Sequence, residues 1–260
     1  MRKLIVNADD FGFTCGVNEG ILACHREGIL TATTLMATGR AFHHAVELSR
    51  GTPSLDVGCH LVLVQDPGLP PTIWALLQAI RRNEIDLLGE LRRQIEITLK
   101  ASIRPTHLDT HKHTHLIPQV RRAVLRVSEE YGIPWVRKPA DFARDQSAPL
   151  RTQTIAHAMH LAQRGFDRQI AAANARRTDH FTGFQLTGRM TAVTLAATLR
   201  ALPKGVTELM CHPAFLTAEL QNAPTRLKQS RLDEQQALCS PTIHSLIAEL
   251  NVQLTNYRDL

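Results

Sequence analysis

The sequence lacks the features that mark several large classes of protein. It has five cysteines, an odd number, and none of them stands in a CxxC pair. This pattern argues against a disulfide framework and against a zinc site built from thiolates. Buried, reduced thiols are the simpler expectation. No apolar run reaches the roughly 18 residues of a membrane-spanning helix, so none is expected.

Aromatic residues are also scarce, at 5% of the chain, which leaves few rings on which bases could stack. The net charge of +6 would otherwise suit nucleic acid or an anionic lipid surface. However, the basic residues are spread as short pairs, such as Arg81-Arg82 and Arg121-Arg122, in or beside helical patterns. We therefore expect no nucleic-acid partner, and peripheral contact with a membrane stays open.

The N-terminal segment MRKLIVNADD turns acidic at once and lacks a small-residue cleavage site, so no secretory signal is expected. The predicted location is the cytoplasm, with the periphery of the inner membrane left open. The sequence does not determine the oligomeric state, and a homodimer is compatible with it.

Short apolar runs alternate with longer segments of helical period. Seven runs are predicted strands: 3–8, 31–38, 55–63, 106–109, 134–137, 181–186 and 206–211. This alternation, without a hairpin signal, predicts an α/β fold with a parallel sheet wrapped by helices. About seven strands favour a (β/α) barrel-like fold, incomplete or distorted. We expect residues 1–260 to form a single domain.

Four of the predicted strands carry a metal-binding or proton-transferring side chain at or near their carboxyl ends. These side chains are Asp9 and Asp10, His60, Asp109 and His111, and His212. In parallel α/β folds the carboxyl ends of the strands share one face. We therefore expect these groups to converge there.

The adjacent carboxylates Asp9 and Asp10 would cost several kcal/mol to bury without a compensating cation or shared proton. Neighbouring side chains leave a strand in different directions, so one metal ligand and one base are natural roles. A helix cap beside a solvated acid is the alternative. The following Phe11-Gly12-Phe13 favours a packed turn.

The segment 107–115 is the strongest signal in the chain. In an extended chain, strict alternation would place five potential ligands on one face: His107, Asp109, His111, His113 and His115. One ion needs fewer, so some would orient ligands or substrate. A ligand set without thiolate suits Zn²⁺, Mn²⁺, Co²⁺, Ni²⁺ or Mg²⁺. With a carboxylate as base and a histidine as acid, it points to amide or ester hydrolysis.

Four motifs of the chain resemble those of the YdjC-like carbohydrate deacetylases in sequence and order, and the likeness spans residues 3–215. The motifs are NADDFG at 7–12, GCHL at 58–61, the segment 107–115, and CHPA at 211–214. The resemblance implies a (β/α) barrel-like fold and one divalent ion, Mg²⁺ or Zn²⁺. It also implies removal of acetyl from an N-acetylated sugar, as in chito-oligosaccharide deacetylation.

The resemblance also implies roles for individual residues. The implied metal ligands are Asp10, His60 and His111. Asp9 is the implied base that takes a proton from the attacking water, and His212 the implied acid that protonates the leaving amine. Which of Asp9 and Asp10 is ligand and which is base stays open. The remaining three would contact the ligands or the substrate: Asp109, His113 and His115.

Segments 181–184, 188–191 and 206–208 further resemble the hopanoid-biosynthesis-associated branch of the family. That branch implies a glycolipid substrate, an N-acetylglucosaminyl hopanoid. Residues 64–86 look shorter than in many relatives, which bears on the size of the substrate. Two other functions stay open: a phosphoester hydrolase with two metal ions, and a non-catalytic sugar- or lipid-binding relative.

Overall fold

Eight strands form one sheet in the computed structural model, which describes residues 1–163 and 165–260. The strands are β1 Arg2–Phe11, β2 Ala32–Leu35, β3 Asp56–Leu61, β4 His107–Thr110, β5 Trp135–Val136, β6 His180–Thr182, β7 Gly205–Cys211 and β8 Val252–Leu254. Their order is β5-β4-β3-β2-β1-β7-β6, and β8 pairs with the start of β1. Every pair in these ladders is parallel. The prediction of a barrel-like sheet of about seven parallel strands is confirmed.

The two ends of this sheet, β5 and β6, approach each other and nearly close the barrel. Two isolated bridges join them, Trp135 to Arg176 and Asp141 to Phe181. The amide of Phe142 donates to the Phe181 carbonyl at 2.8 Å. We call this junction the seam. It makes the curled sheet an incomplete barrel.

Helices surround the sheet and follow most of its strands. They are α1 Cys15–Glu27, α2 Phe42–Arg50, α3 Ile73–Arg81, α4 Leu87–Lys100, α5 Pro118–Tyr131, α6 Leu150–Ala172, α7 Ala192–Arg200, α8 Ala218–Asn222, α9 Gln229–Leu238 and α10 Pro241–Glu249. In the part of the chain that the structure describes, no helix is both long and apolar enough to cross a bilayer.

Local sequence accounts for the clearest boundaries. Helix α5 begins at Pro118, whose fixed φ suits a first helical position. It ends before Gly132, which takes the left-handed conformation at φ 64°. The local sequence thus accounts for both ends of α5.

The core lies between the sheet and its helices. On α4, Leu91 and Ile95 are fully buried against Val120 and Val124 of α5. Burying a side chain of this size contributes about 1.5–3 kcal/mol. In the sequence Leu99 continues the stripe of Leu91 and Ile95 at helical spacing, but its side chain is 38% exposed, so the buried stripe ends before it.

Several predicted elements differ from the structure. The strand predicted at 181–186 ends at Thr182, because Gly183 turns the chain at φ 121°. The sequence has two stretches of helical period, at 155–163 and 168–175, but the single helix α6 contains the first stretch whole and the second as far as Ala172. Strand β8 was not predicted at all. All five cysteines are free, but Cys15 is exposed, so the buried environment predicted for them does not hold there.

Candidate active site

The paired carboxylates lie inside β1 rather than after it. The strand continues to Phe11, but its register with β2 shifts between Ala8 and Phe11. At this bulge Asp10 adopts a left-handed conformation with φ 69°, which is uncommon for a residue other than glycine. The prediction that the pair ends the strand is wrong. The bulge instead leads the two buried carboxylates to different partners.

His60 is buried near the end of β3, where its ring is fixed from one side. Its Nδ1 donates to Asp109 Oδ1 at 2.7 Å. This bond leaves the lone pair of Nε2 free to face other groups. Burial alone would lower the pKa of His60, but the carboxylates of Asp109, Asp10 and Asp9 raise it to about 10. The pocket therefore favours positive charge at this position.

His111 is the point at which the predicted alternation breaks down. Strand β4 ends at Thr110, and residues His111–Leu116 form a 3₁₀ segment. Lys112 and His113 there have φ of 55° and 53°. The prediction of one extended ligand face is therefore wrong beyond Thr110. The turn sends the later histidines in different directions.

The structure brings Asp10, His60 and His111 together, with one ligand atom from each. His60 Nε2 lies 3.4 Å from Asp10 Oδ1 and 3.3 Å from His111 Nδ1. His111 Nδ1 lies 3.3 Å from Asp10 Oδ1. Ligands about 2.0–2.1 Å from a tetrahedral ion lie about 3.3–3.4 Å apart. The three atoms therefore fit a divalent ion.

Asp9 lies beside this triad but faces Arg137, which follows β5. The Arg137 guanidinium donates to both oxygens of Asp9, at 2.7 Å each. Burial would raise the pKa of Asp9, but Arg137 holds it well below its usual range. Asn7 Nδ2 also donates to Asp9 Oδ1 at 3.2 Å. Asp9 is thus a fixed and ionised carboxylate.

His212 follows β7 directly and faces Asp9 from the other side. Its Nε2 lies 4.0 Å from Asp9 Oδ2, and its Nδ1 has no hydrogen-bond partner among the described residues. Burial lowers the pKa of His212 to about 4. Its backbone amide donates to Glu234 Oε2 at 2.5 Å. Because the pKa of His212 lies well below 7, its imidazole is mostly neutral near pH 7.

The other three predicted site residues lie in different places. Asp109 orients His60 and pairs with Arg137 Nη1 at 2.6 Å. His113 is buried against Phe181 and Phe184.

His115 does not face the triad. Its Nε2 donates to the Arg137 carbonyl at 3.1 Å, and its Nδ1 lies 2.5 Å from Thr110 Oγ1. His115 thus supports the backbone of Arg137.

Residues 3–249 match the family model described as YdjC-like protein. The chain belongs to the YdjC-like family. The resemblance carried by the four sequence motifs is thereby confirmed.

Among YdjC-like relatives, a carbohydrate deacetylase of Brevibacillus brevis is 33% identical, and the alignment covers 99% of each chain. A chitooligosaccharide deacetylase of Klebsiella pneumoniae is 32% identical over 100% of this chain and 99% of its own. A crystal structure from Enterococcus faecalis V583, of a protein named for cellobiose-phosphate cleavage, has a TM-score of 0.78 at 27% identity. It covers 99% of this chain and 98% of its own.

The YdjC-like site contains charged residues that were not predicted. Arg137 stands at a strand end and could have been found by the rule that selected His60 and His212. Arg231 and Glu234 lie on α9 and are buried; Arg231 pairs with Asp10 Oδ2, and Glu234 binds the His212 amide. Their one sequence signal is the spacing of Arg231, Glu234 and Leu238, which places charge on the inward stripe of a helix.

Proposed function

We propose that the protein is a metal-dependent hydrolase that removes the N-acetyl group from an N-acetylglucosamine-type sugar. The observation that carries this proposal is the triad of Asp10, His60 and His111 beside the facing pair Asp9 and His212. The deacetylase names of the relatives that match over almost the whole chain support the same chemistry.

Asp10, His60 and His111 would hold one divalent ion. When bound, such an ion supplies Lewis acidity, which polarises a carbonyl oxygen and lowers the pKa of water. Asp109 fixes the tautomer of His60, so that Nε2 faces Asp10 and His111 and would be the ligand atom. The Oδ1 atom of Asp10 faces the two histidines, while its Oδ2 pairs with Arg231.

Asp9 and His212 would move the protons. Asp9 accepts a proton from the water that attacks the acetyl carbon, and Arg137 fixes the carboxylate for this task. His212 gives a proton to the sugar nitrogen as the carbon–nitrogen bond breaks. The products are acetic acid and the free amino sugar. This division gives Asp9 the role of base and Asp10 the role of ligand.

A phosphoester hydrolase with two ions is the rival that keeps the site. A second group, Asp9, His60 and Asp109, has ligand atoms close enough for another ion. Arg137 contacts both carboxylates of this group, at 2.7 and 2.6 Å. Its guanidinium already supplies the compensating positive charge, which favours one ion over two.

The test is mass spectrometry of N-acetylated chito-oligosaccharides and of an N-acetylglucosaminyl hopanoid after incubation with metal-loaded protein. We expect the loss of one acetyl group per reacting sugar, and none with Asp9→Asn. The preferred substrate would show whether the predicted hopanoid branch is right. Phosphate release from a phosphoester panel, with no acetate, would favour the rival. Ligand binding without turnover of any substrate would favour the non-catalytic relative.

A further inference from the structure

Glu234 is a buried acid beside the proposed proton donor, and the mechanism above does not use it. It lies on α9 with no exposed surface. Its Oε2 accepts the His212 amide at 2.5 Å, and its Oε1 accepts the Gly188 amide at 3.4 Å. These bonds fix the carboxyl group against the loop after β7.

The same oxygen also faces the His212 ring. Glu234 Oε2 lies 3.9 Å from His212 Nδ1, a ring nitrogen that is buried and without a hydrogen-bond partner in the described structure. A buried polar atom without a partner costs about 1–3 kcal/mol. A small rotation of the ring or carboxyl group would bring the two atoms into contact, and catalytic hydrogen bonds commonly tighten once substrate is bound.

We propose that Glu234 is a positioning residue for His212, and that the two side chains hold one proton between them for the leaving amine. This inference rests on the proposed role of His212 as acid. As the carbon–nitrogen bond breaks, His212 Nε2 releases its proton to the amine nitrogen. The Glu234 carboxyl group gives its proton to Nδ1 in the same step. The proton that Asp9 took from water returns to the pair through Nε2, which restores the starting state.

The environment of the pair supports a shared proton. Burial raises the pKa of Glu234 to about 7, while burial lowers that of His212 to about 4. At a pH between these two values both side chains are neutral. The one titratable proton that they share is then on the Glu234 carboxyl group. The other charged or titratable groups that face the pair are Asp9 and Asp10 on β1, Cys24 on α1, Arg137 after β5, His113 in the 3₁₀ segment, Cys211 on β7 and Arg231 on α9.

The test is Glu234→Gln, because the amide oxygen still accepts the short bond from the His212 backbone, while the side chain gives up no proton. Only the longer bond from the Gly188 amide loses its acceptor. We expect kcat to fall by about 10–100-fold, with KM and metal content unchanged. The alkaline limb of the kcat profile should move to lower pH, since His212, with a pKa of about 4, would then have to hold the proton that Glu234 holds up to about pH 7 in the wild type. Glu234→Asp should recover part of the activity. Asp233→Asn, on the outward side of the same helix, should retain wild-type values.

An NMR titration of the wild type keeps the test independent of the variants' folding. With ¹⁵N-histidine and ¹³C-glutamate labels, His212 and Glu234 should respond at common midpoints. Independent titration, or a Glu234→Gln variant with wild-type kcat and pH profile, would overturn the inference. If His212→Asn also left kcat unchanged, the proposed acid role would fail instead. The two failures are therefore distinguishable.

Discussion

Arg137 and Asp9 form a bidentate pair, in which two guanidinium nitrogens each lie 2.7 Å from a different carboxylate oxygen. The same guanidinium contacts Asp109 and Glu208, each at 2.6 Å. One buried positive charge thus compensates three buried acids. Removing one partner of a buried charge pair leaves uncompensated charge, which is strongly destabilising.

Replacement of Arg137 by leucine should therefore lower the free energy of unfolding by about 3–5 kcal/mol at pH 7. Arg137 lowers the pKa of Asp9, so the stability it contributes is present above the unfolded pKa and lost as pH falls below it. The difference in the free energy of unfolding between wild type and variant should become smaller when urea unfolding is repeated between pH 5 and pH 3. A deficit independent of pH would mean that only packing is lost. Arg126→Leu, at an exposed arginine, is the control.

The division between Asp9 and Asp10 predicts opposite metal contents for their asparagine variants. Asp10→Asn should lose the bound ion, and its activity with it. Asp9→Asn should retain about one ion per chain but lose activity by about 10²–10⁴-fold. Metal analysis after gel filtration, beside acetate release, checks both. The reverse pattern would make Asp9 the ligand.

Metal removal gives a further check on the triad. A chelator should abolish activity in the wild type, and added Zn²⁺ or Mg²⁺ should restore it. Because an ion that binds only the folded state stabilises it, the melting temperature should rise with metal concentration. His60→Ala should show no such rise. A wild type that keeps full activity after verified metal removal would contradict the metal-dependent proposal.

Gly58 packs directly against His107, whose Nε2 donates to the Asn7 side chain at 2.9 Å. A Cβ at Gly58 would lie 2.6 Å from the His107 carbonyl oxygen, so Gly58→Ala should cost about 1–3 kcal/mol of stability. Gly165 on α6 has open space around it. Gly165→Ala should stabilise the protein by about 0.5–1 kcal/mol. Urea unfolding of both variants tests this contrast.

The raised pKa of Glu234 predicts how the free energy of unfolding changes with pH. Its folded pKa, about 7, lies above the ordinary value of 4.5, so the folded state binds the proton more tightly. The stability it contributes is present below about pH 4.5 and lost as pH rises through 7. Relative to wild type, Glu234→Gln should therefore gain on the order of 2–3 kcal/mol between pH 5 and pH 8. A constant difference would contradict the raised pKa.

Much of the site could be predicted because its chemistry lies at strand ends. Asp10, His60 and His212 lie at or directly after the carboxyl ends of buried parallel strands. Such strands can be recognised in a sequence from their hydrophobic runs. The turn after Thr110 could not be predicted from the sequence. Lys112 and His113 adopt left-handed conformations there, and such conformations are usually indicated by glycine.

The contribution of α9 was harder to anticipate. Charged residues on a surface helix are ordinarily solvated, and tertiary packing alone turns Arg231 and Glu234 inward. Strand β8 has only three residues and pairs with the start of β1 alone, so its pattern is too short to separate from a loop.

The seam between β5 and β6 also indicates where the chain could be opened in a circular permutant. Because only isolated bridges cross it, a break at Gln146 would interrupt no ladder of the sheet. The two ends of this sequence adjoin its first and last strands, which run side by side with Arg2 in register with Val252. A circular permutant opened at Gln146 and joined across those ends would keep every paired strand. Each half of the site would then be made in a new order, with β6 and β7 synthesised before β1.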